Sequence, residues 1–438
     1  MRPVGRRASW PLIGVALALT AAACGRGDAP GRGLASIERS SITFSVNLDE
    51  REVPAIQELL KRFQDEQRAR FDIELVHRFR SRPAVTVKLL TSLSPAELDD
   101  RIERDVRSGK PSIHLFARDN VGLETLVRKG LVEDISEAAG PAGVRSTVPE
   151  LFDGSRYFLP FRPNVRLTYA HKERLRQAGV RPPTTVEELR TVAERLKAVS
   201  GRPKVTLSLS PGEPAAVTIS EWILSFGGDP LVLNDAPAVA AFEFLQGLWQ
   251  QGVLARESVL ARFDTEIENL TGARAWLAQN WSYTSAELAR LGVLDDFAVS
   301  PGWEGGRGPR HVVGGDVLAI PKGVTARQRA SALRLARFLM SERSQEYLMR
   351  ANSWPSIHPQ AYRRVAKEQQ QTFAAIETAL RQGWAGRSVW YWCHVSHQMN
   401  EAVDHILMGR QPVKPLLDEL QARIEAARQA GAACPPSE

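Results

Sequence analysis

Residues 41–47, SITFSVN, place Ile42, Phe44 and Val46 at every second position, the repeat of a strand with one buried face. Val53, Ile56, Leu59, Leu60 and Phe63 then recur at helical spacing, and FDIELVHRF (71–79) predicts a second strand. Leu98, Ile102 and Val106 mark a helix that stops at Gly109. SIHLFA (112–117) predicts a third strand, and Leu123, Leu126, Val127 and Leu131 a further helix. This β-α-β-α-β-α order predicts an α/β fold built on a parallel sheet covered by helices. The pattern restarts after Pro160. VRLTYAH (165–171) and KVTLSLS (204–210) predict strands, and Thr184 or Thr185 with Glu187 or Glu188 predicts a capped helix between them. Pro237 opens a helix through Trp249, and ARAWLAQN (273–280), DFAVSPG (296–302) and HVVGGDVLAIP (311–321) are strand-like. Thr325 with Gln328 opens a helix to Met340, and two last helices are expected over 394–408 and 413–428.

Composition narrows the picture. The chain has 438 residues, enough for two lobes with separate cores. Its 57 Lys and Arg are interspersed with 50 Asp and Glu, and no basic stripe stands out, so nucleic acid is not an expected partner. Arg2, Arg6 and Arg7 precede an apolar run over 10–20 and then Ala21, Ala22, Ala23 and Cys24, the layout of an export signal. The small residues ending at Cys24 resemble a bacterial lipobox, with Ala21 where Leu is commoner; the alternative is an ordinary secretory signal with a chance cysteine. GRGDAPGRG after Cys24 reads as a tether. An exported chain permits a disulfide between the two remaining cysteines, Cys393 and Cys434, but their spacing alone does not show that they meet.

There is no GxSxG, HExxH or P-loop, and no GxGxxG after a strand. GWEGGRG (302–308) reads as a loop. RSVWYWCHVSH (387–397) places three aromatics before Cys393, His394 and His397. It suits a core plug, an aromatic platform or a metal site, and metal is disfavoured because structural zinc wants four ligands and no second cluster is visible. Trp249 and Trp276 fall in amphipathic segments and are expected in the core. Trp281, Trp303 and Trp354 fall at strand ends or turns, where a flat face either packs a loop or meets a sugar ring.

The ordered set GKPSIHLFARDNVGLETLVRKGLVEDIS, RYFLPFRPNVRLTYAHKERLRQAGVRPPTTVEEL, SFGGD, GARAWLAQNW, VVGGDVLAIPKG and ILMGRQPVKPLLDEL resembles the extracellular solute-binding proteins of ABC transporters, in the branch that includes maltose- and trehalose-binding proteins. The resemblance covers 41–428 and departs from the usual Pro-Asp at Pro111-Ser112. It implies two α/β lobes, each a mostly parallel sheet flanked by helices, closing by hinge motion on a ligand in the cleft between them. The implied layout is a signal (1–23), a tether (24–40), a first lobe (41–160 and 312–352), a second lobe (161–311 and 353–430) and a tail (431–438).

Carried over residue by residue, the resemblance nominates Asn47, Asp49 and Glu50 after the first strand, and Asp119 and Asn120 after the third. Arg162, Asn164, Gly315 and Asp316 fall at the crossings, and Trp281 and Tyr283 on the second lobe. Trp354, Arg387, Trp390 and Tyr391 complete the candidate site. Of Trp390 and Trp392, the first is expected in the cleft and the second packed. The implied function is that of a monomeric lipoprotein, anchored to a membrane through Cys24, that delivers a carbohydrate to a membrane permease and uses no cofactor. Two alternatives stay open. One is an anionic solute such as a phosphorylated polyol, held by Arg162, Arg166 and Arg387. The other is an exported glycoside hydrolase using Asp119 and Glu50.

Overall fold

The computed structural model describes residues 40–48, 50–74, 85–91, 93–138, 143–149, 151–303, 311–409 and 412–434. Its first elements are β1 (Ser40–Ser45), α1 (Val53–Glu74), β2 (Val85–Leu90), α2 (Pro95–Ser108), β3 (Leu115–Asp119) and α3 (Leu123–Arg128). The expected strand at 71–79 is not formed where described: α1 runs through Glu74, and residues 75–84 lie outside the described part. Phe71 lies eight residues after Phe63, a separation that also fits a helix, so the run satisfied both periods. The second strand is β2. Helix α2 ends at Gly109 with φ +65°, as expected, and its start is fixed by a capping box of Ser94 and Glu97.

The chain continues through β4 (Leu159–His171), α4 (Lys172–Gln177), α5 (Val186–Ser200), β5 (Val205–Thr206), α6 (Glu213–Ser225), α7 (Ala236–Gln250) and α8 (Phe263–Thr271). Then follow β6 (Leu277–Trp281), α9 (Tyr283–Arg290), β7 (Phe297–Ser300), β8 (His311–Ala319), α10 (Ala326–Leu339), α11 (Glu342–Asn352), α12 (Gln370–Arg381), β9 (Gly383–Trp384), α13 (Trp392–Leu407) and α14 (Val413–Ala430). Thr185 rather than Thr184 is the N-cap of α5, and the strand expected over 204–210 shrinks to β5.

Strands β2, β1 and β3 run parallel, as expected, and β8 lies antiparallel beside β3. In the second lobe β4 runs antiparallel to β6 and β7, while β5 pairs in parallel with β6 and the two-residue β9 with the start of β8. The mostly parallel sheet expected there is corrected for a physical reason. β4 is thirteen residues long and crosses between the lobes, so it enters the second sheet already committed in direction by its pairing with β8.

Each lobe buries its own apolar set. Ile42 and Phe44 of β1 pack with Ile56, Leu59 and Phe63 of α1 and with Leu335 and Leu339 of α10. On the other face Leu98 and Ile102 of α2 meet Phe116, Leu126 and Val317. In the second lobe α5, α6, α7, α13 and α14 close over Leu277 and Ala170, while α12 covers the opposite face at Leu167, Tyr169 and Val299. Two of the segments linking these cores, β4 and β8, pair side by side. They approach so closely that a Cβ on Gly315 would lie 1.9 Å from the Arg162 carbonyl oxygen, and Gly315 holds φ +102°, so only glycine fits.

Candidate functional site: the inter-lobe cleft

The crossing strands carry a buried ion network. Arg162 on β4 pairs with Asp316 on β8 at 2.7 Å and with Glu52 at 3.4 Å. Its guanidinium lies 4.3 Å from the ring centre of Trp354, whose Nε1–H donates to Glu52 at 2.7 Å. Burial alone would lower the Arg162 pKa, but Asp316 and Glu52 turn the net shift upward. Burial pushes Asp316 up against the pull of Arg162. Trp354 is 4% exposed and Asp316 7%. Both nominated residues therefore hold the crossing together and offer little surface to a solute.

A second cluster joins the loop after β3 to the segment before α13. Asn120 is fully buried; its Nδ2 donates to the Thr147 and Val313 carbonyls, both at 2.8 Å, and its Oδ1 accepts from Arg387 at 3.2 Å. Both amide hydrogens are taken by protein and the side chain is fully buried, which corrects its nomination as a ligand contact. Arg387 is 1% exposed, ion-paired with Glu213 at the start of α6 and 4.0 Å from Asp119. It is a buried strut between lobes rather than an open cation, a second correction.

The open groups around this strut are carboxylates. The side chains of Asp119 and Glu213 keep 39% and 40% of their surface exposed, one on each lobe, both facing Arg387. Burial pushes the Glu213 carboxyl up, Arg387 opposes this, and the charge of Asp119 adds to it. Asp119 is anchored by the Val121 N–H at 3.1 Å. Asn47 and Glu50 are exposed on the loop after β1, and Asp49 lies outside the described residues, as does Cys24. Asn164 is half-buried; its Oδ1 accepts from Ser282 at 2.7 Å, tying the crossing strand β4 to the residue after β6.

The aromatics divide differently from expectation. Trp281 is 7% exposed, edge-on to Phe263 at 5.6 Å, with Gly314 beside its six-membered ring. It is a covered wall residue, so the open stacking face expected of it is not present. The half-buried rings packed beside it are Tyr283 and Trp384. Burial, then the nearby Asp264, Glu287 and Glu52, push the Tyr283 hydroxyl well above its ordinary pKa. Trp303 is buried against Trp222, and Trp392 packs on Trp384 at 6.1 Å. Trp390 is half-buried under the Arg128 guanidinium at 4.4 Å, and Tyr391 under that of Arg428 at 5.7 Å.

Sequence reading missed Glu52, Glu213, Trp384 and Ser388. Glu213 had a usable signal: it follows SPG directly after the expected strand 204–210, and in α/β sheets ligands gather beyond the carboxyl ends of strands. Among the described residues no group of three or more His, Cys, Asp or Glu could hold a metal ion, and no helix is long and apolar enough to cross a membrane.

The family profile for bacterial extracellular solute-binding proteins matches residues 74–375. A comparison with curated protein sequences finds no match. Among solved structures, maltose-bound MalE3 of T. maritima superposes with TM-score 0.72 at 18% identity, over 88% of this chain and 99% of that one. The GacH receptor of Streptomyces glaucescens, solved unliganded and with acarbose, gives 0.73 at 15%, over 89% and 98%. A ribitol-bound solute-binding protein of Agrobacterium radiobacter gives 0.69 at 16%, over 89% and 99%. At these identities the likeness is one of fold: two lobes with a cleft between them.

Proposed function

The chain belongs to the bacterial extracellular solute-binding proteins, and from that membership we propose that it captures a neutral carbohydrate, an oligosaccharide, by closing its lobes and delivers it to an ABC importer. The observation that carries the solute class is the pair Asp119 and Glu213, half-exposed carboxylates contributed by the two lobes. Ionised carboxylates only accept hydrogen bonds, so they suit a ligand rich in hydroxyl donors. Ligand that bridges both groups favours the closed state through contacts made only there. Similar structures hold maltose, acarbose and ribitol, which are polyhydroxylated.

The anionic alternative relied on Arg162, Arg166 and Arg387. Each of these guanidinium groups has protein partners: Asp316 and Glu52, Thr218 and the Gln279 carbonyl, and Glu213 with Asn120. A solute phosphate would have to displace them. We further propose the lobe layout given by the sequence, a role in binding rather than hydrolysis, and attachment of the exported protein to the membrane by lipid on Cys24. Cys24→Ser should leave the precursor unprocessed or release the body from membranes; acyl label retained on the variant would refute the anchor.

A melting screen of the purified protein with neutral oligosaccharides, polyols and phosphorylated polyols tests the solute class. Ligand at a hundred times its Kd adds about 2.7 kcal/mol of stability. A rise confined to phosphorylated compounds would overturn the carbohydrate reading, and release of sugar products during incubation would overturn the non-catalytic one.

A further inference from the structure

Cys393 and Cys434 are joined in a disulfide, with their Cα atoms 5.6 Å apart. Cys393 lies in the first turn of α13 and Cys434 beyond the end of α14. Two more contacts bring the tail to the same turn. His394 Nε2 lies 3.1 Å from the Ala432 carbonyl oxygen, and the Arg428 guanidinium covers the Tyr391 ring. The start of α13 is thus held on one side by residues 428, 432 and 434.

Immediately upstream, the same stretch grips the opposite lobe. The Gly122 N–H donates to the Arg387 carbonyl at 2.8 Å, and Ser388 Oγ donates to the Asn120 carbonyl at 3.0 Å. The Trp390 N–H donates to Glu124 at 3.0 Å, and Arg128 stacks on the Trp390 ring. With the Arg387 to Asn120 bond, five contacts from residues 387–390 clasp the β3–α3 loop and α3, directly after Asp119 at the end of β3. The disulfide begins three residues after Trp390.

We propose that the Cys393–Cys434 disulfide is the brace of this clasp: it fixes the 387–390 segment against the β3–α3 loop and thereby sets how readily the lobes close on ligand. The effect on ligand rests on the solute-binding reading above; the effect on the clasp does not. Cys434 is exposed and Cys393 half-buried, so the bond is open to a reductant at one end. A dithiol supplies two electrons and two protons; the Sγ–Sγ bond breaks to two thiols, and the dithiol closes to its own disulfide. The tail is then free to leave, and the clasp loses its backing.

The test is hydrogen exchange resolved to single amides on the whole protein, oxidised, reduced with dithiothreitol, and as Cys434→Ser. The Gly122 and Trp390 amides, whose hydrogen bonds are the clasp, should exchange at least about fivefold faster in the reduced protein and in the variant, the lower end of typical coupling between sites. Leu167 and Asn280, in the second-lobe sheet, should be unchanged. Acceleration confined to His394 and the tail would overturn the proposal, since the bond would then only staple the terminus. Equal acceleration of Leu167 and Asn280 would overturn it too, as a global loss of stability. Maltotriose titration of oxidised and reduced protein should show Kd rising by a similar factor. If the clasp amides respond while neither maltotriose nor any other neutral sugar of the melting screen binds either form, the brace stands and the carbohydrate reading falls.

Discussion

Glu266 is fully buried, accepting from Thr206 Oγ1 at 2.6 Å and from Asn269 Nδ2 at 3.3 Å, and burial pushes its pKa up to about 7. Between the ordinary carboxylate range and pH 7 the folded chain therefore holds a proton that the unfolded chain has lost. Stability must fall as pH rises through that window and level off above it. Glu266→Gln keeps both acceptor bonds and removes the titration. We expect the variant to be more stable than the parent at pH 8 by about 3 kcal/mol and nearly equal to it at pH 4. Urea denaturation at both pH values checks this, and parallel pH profiles would refute it. Gly315→Ala tests the other extreme of residue-scale constraint: a Cβ there meets the Arg162 carbonyl, so the crossing must shift, at a cost of at least about 2 kcal/mol in the same assay. Neither residue's role was legible as such. Gly315 was nominated by resemblance as a cleft position, and Glu266 on α8 is buried against Thr206 of β5, sixty residues earlier, only after folding. Asn120, Trp281 and Arg387 failed similarly: the sequence places them at the crossing, but burial depends on which neighbours arrive from 147, 263 and 213.

Elements with self-contained signals were read well. Thr325 with Gln328 and Gly109 mark helix ends through bonds made within four residues, so no tertiary information is needed. The end of α1 was misread because FDIELVHRF is apolar at positions compatible with either period. The polarity of β4 was misread because strand direction is a property of pairing, not of the strand's own residues. At this scale the buried Arg162–Asp316 pair joins β4 to β8. Removing one partner strands a buried charge, so Arg162→Ala should cost about 3–5 kcal/mol, whereas replacing both residues with Leu should recover most of it. Chemical denaturation of the single and double variants distinguishes these; equal losses in both would mean that the pair is not what holds the crossing.

On the scale of the whole molecule, the restart after Pro160 pointed to two α/β units, and the family resemblance implied the strands that cross between them. What they could not supply was which carboxylates face each other across the cleft, because Asp119 and Glu213 lie 94 positions apart and meet only through Arg387. That meeting is the centre of the account. The most direct measurement is titration calorimetry of one neutral oligosaccharide, chosen by the melting screen, against the parent protein, Asp119→Asn and Glu213→Gln. Each lost charge-assisted bond contributes about 1.5–3 kcal/mol, so each variant should bind about ten- to 150-fold more weakly. Asp119→Asn should leave the unliganded melting temperature little changed, whereas Glu213→Gln should lower it because buried Arg387 loses its ion partner, so its Kd is read well below that temperature. Binding of the same sugar with unaltered Kd in both variants would contradict the placement of the ligand between these two lobes.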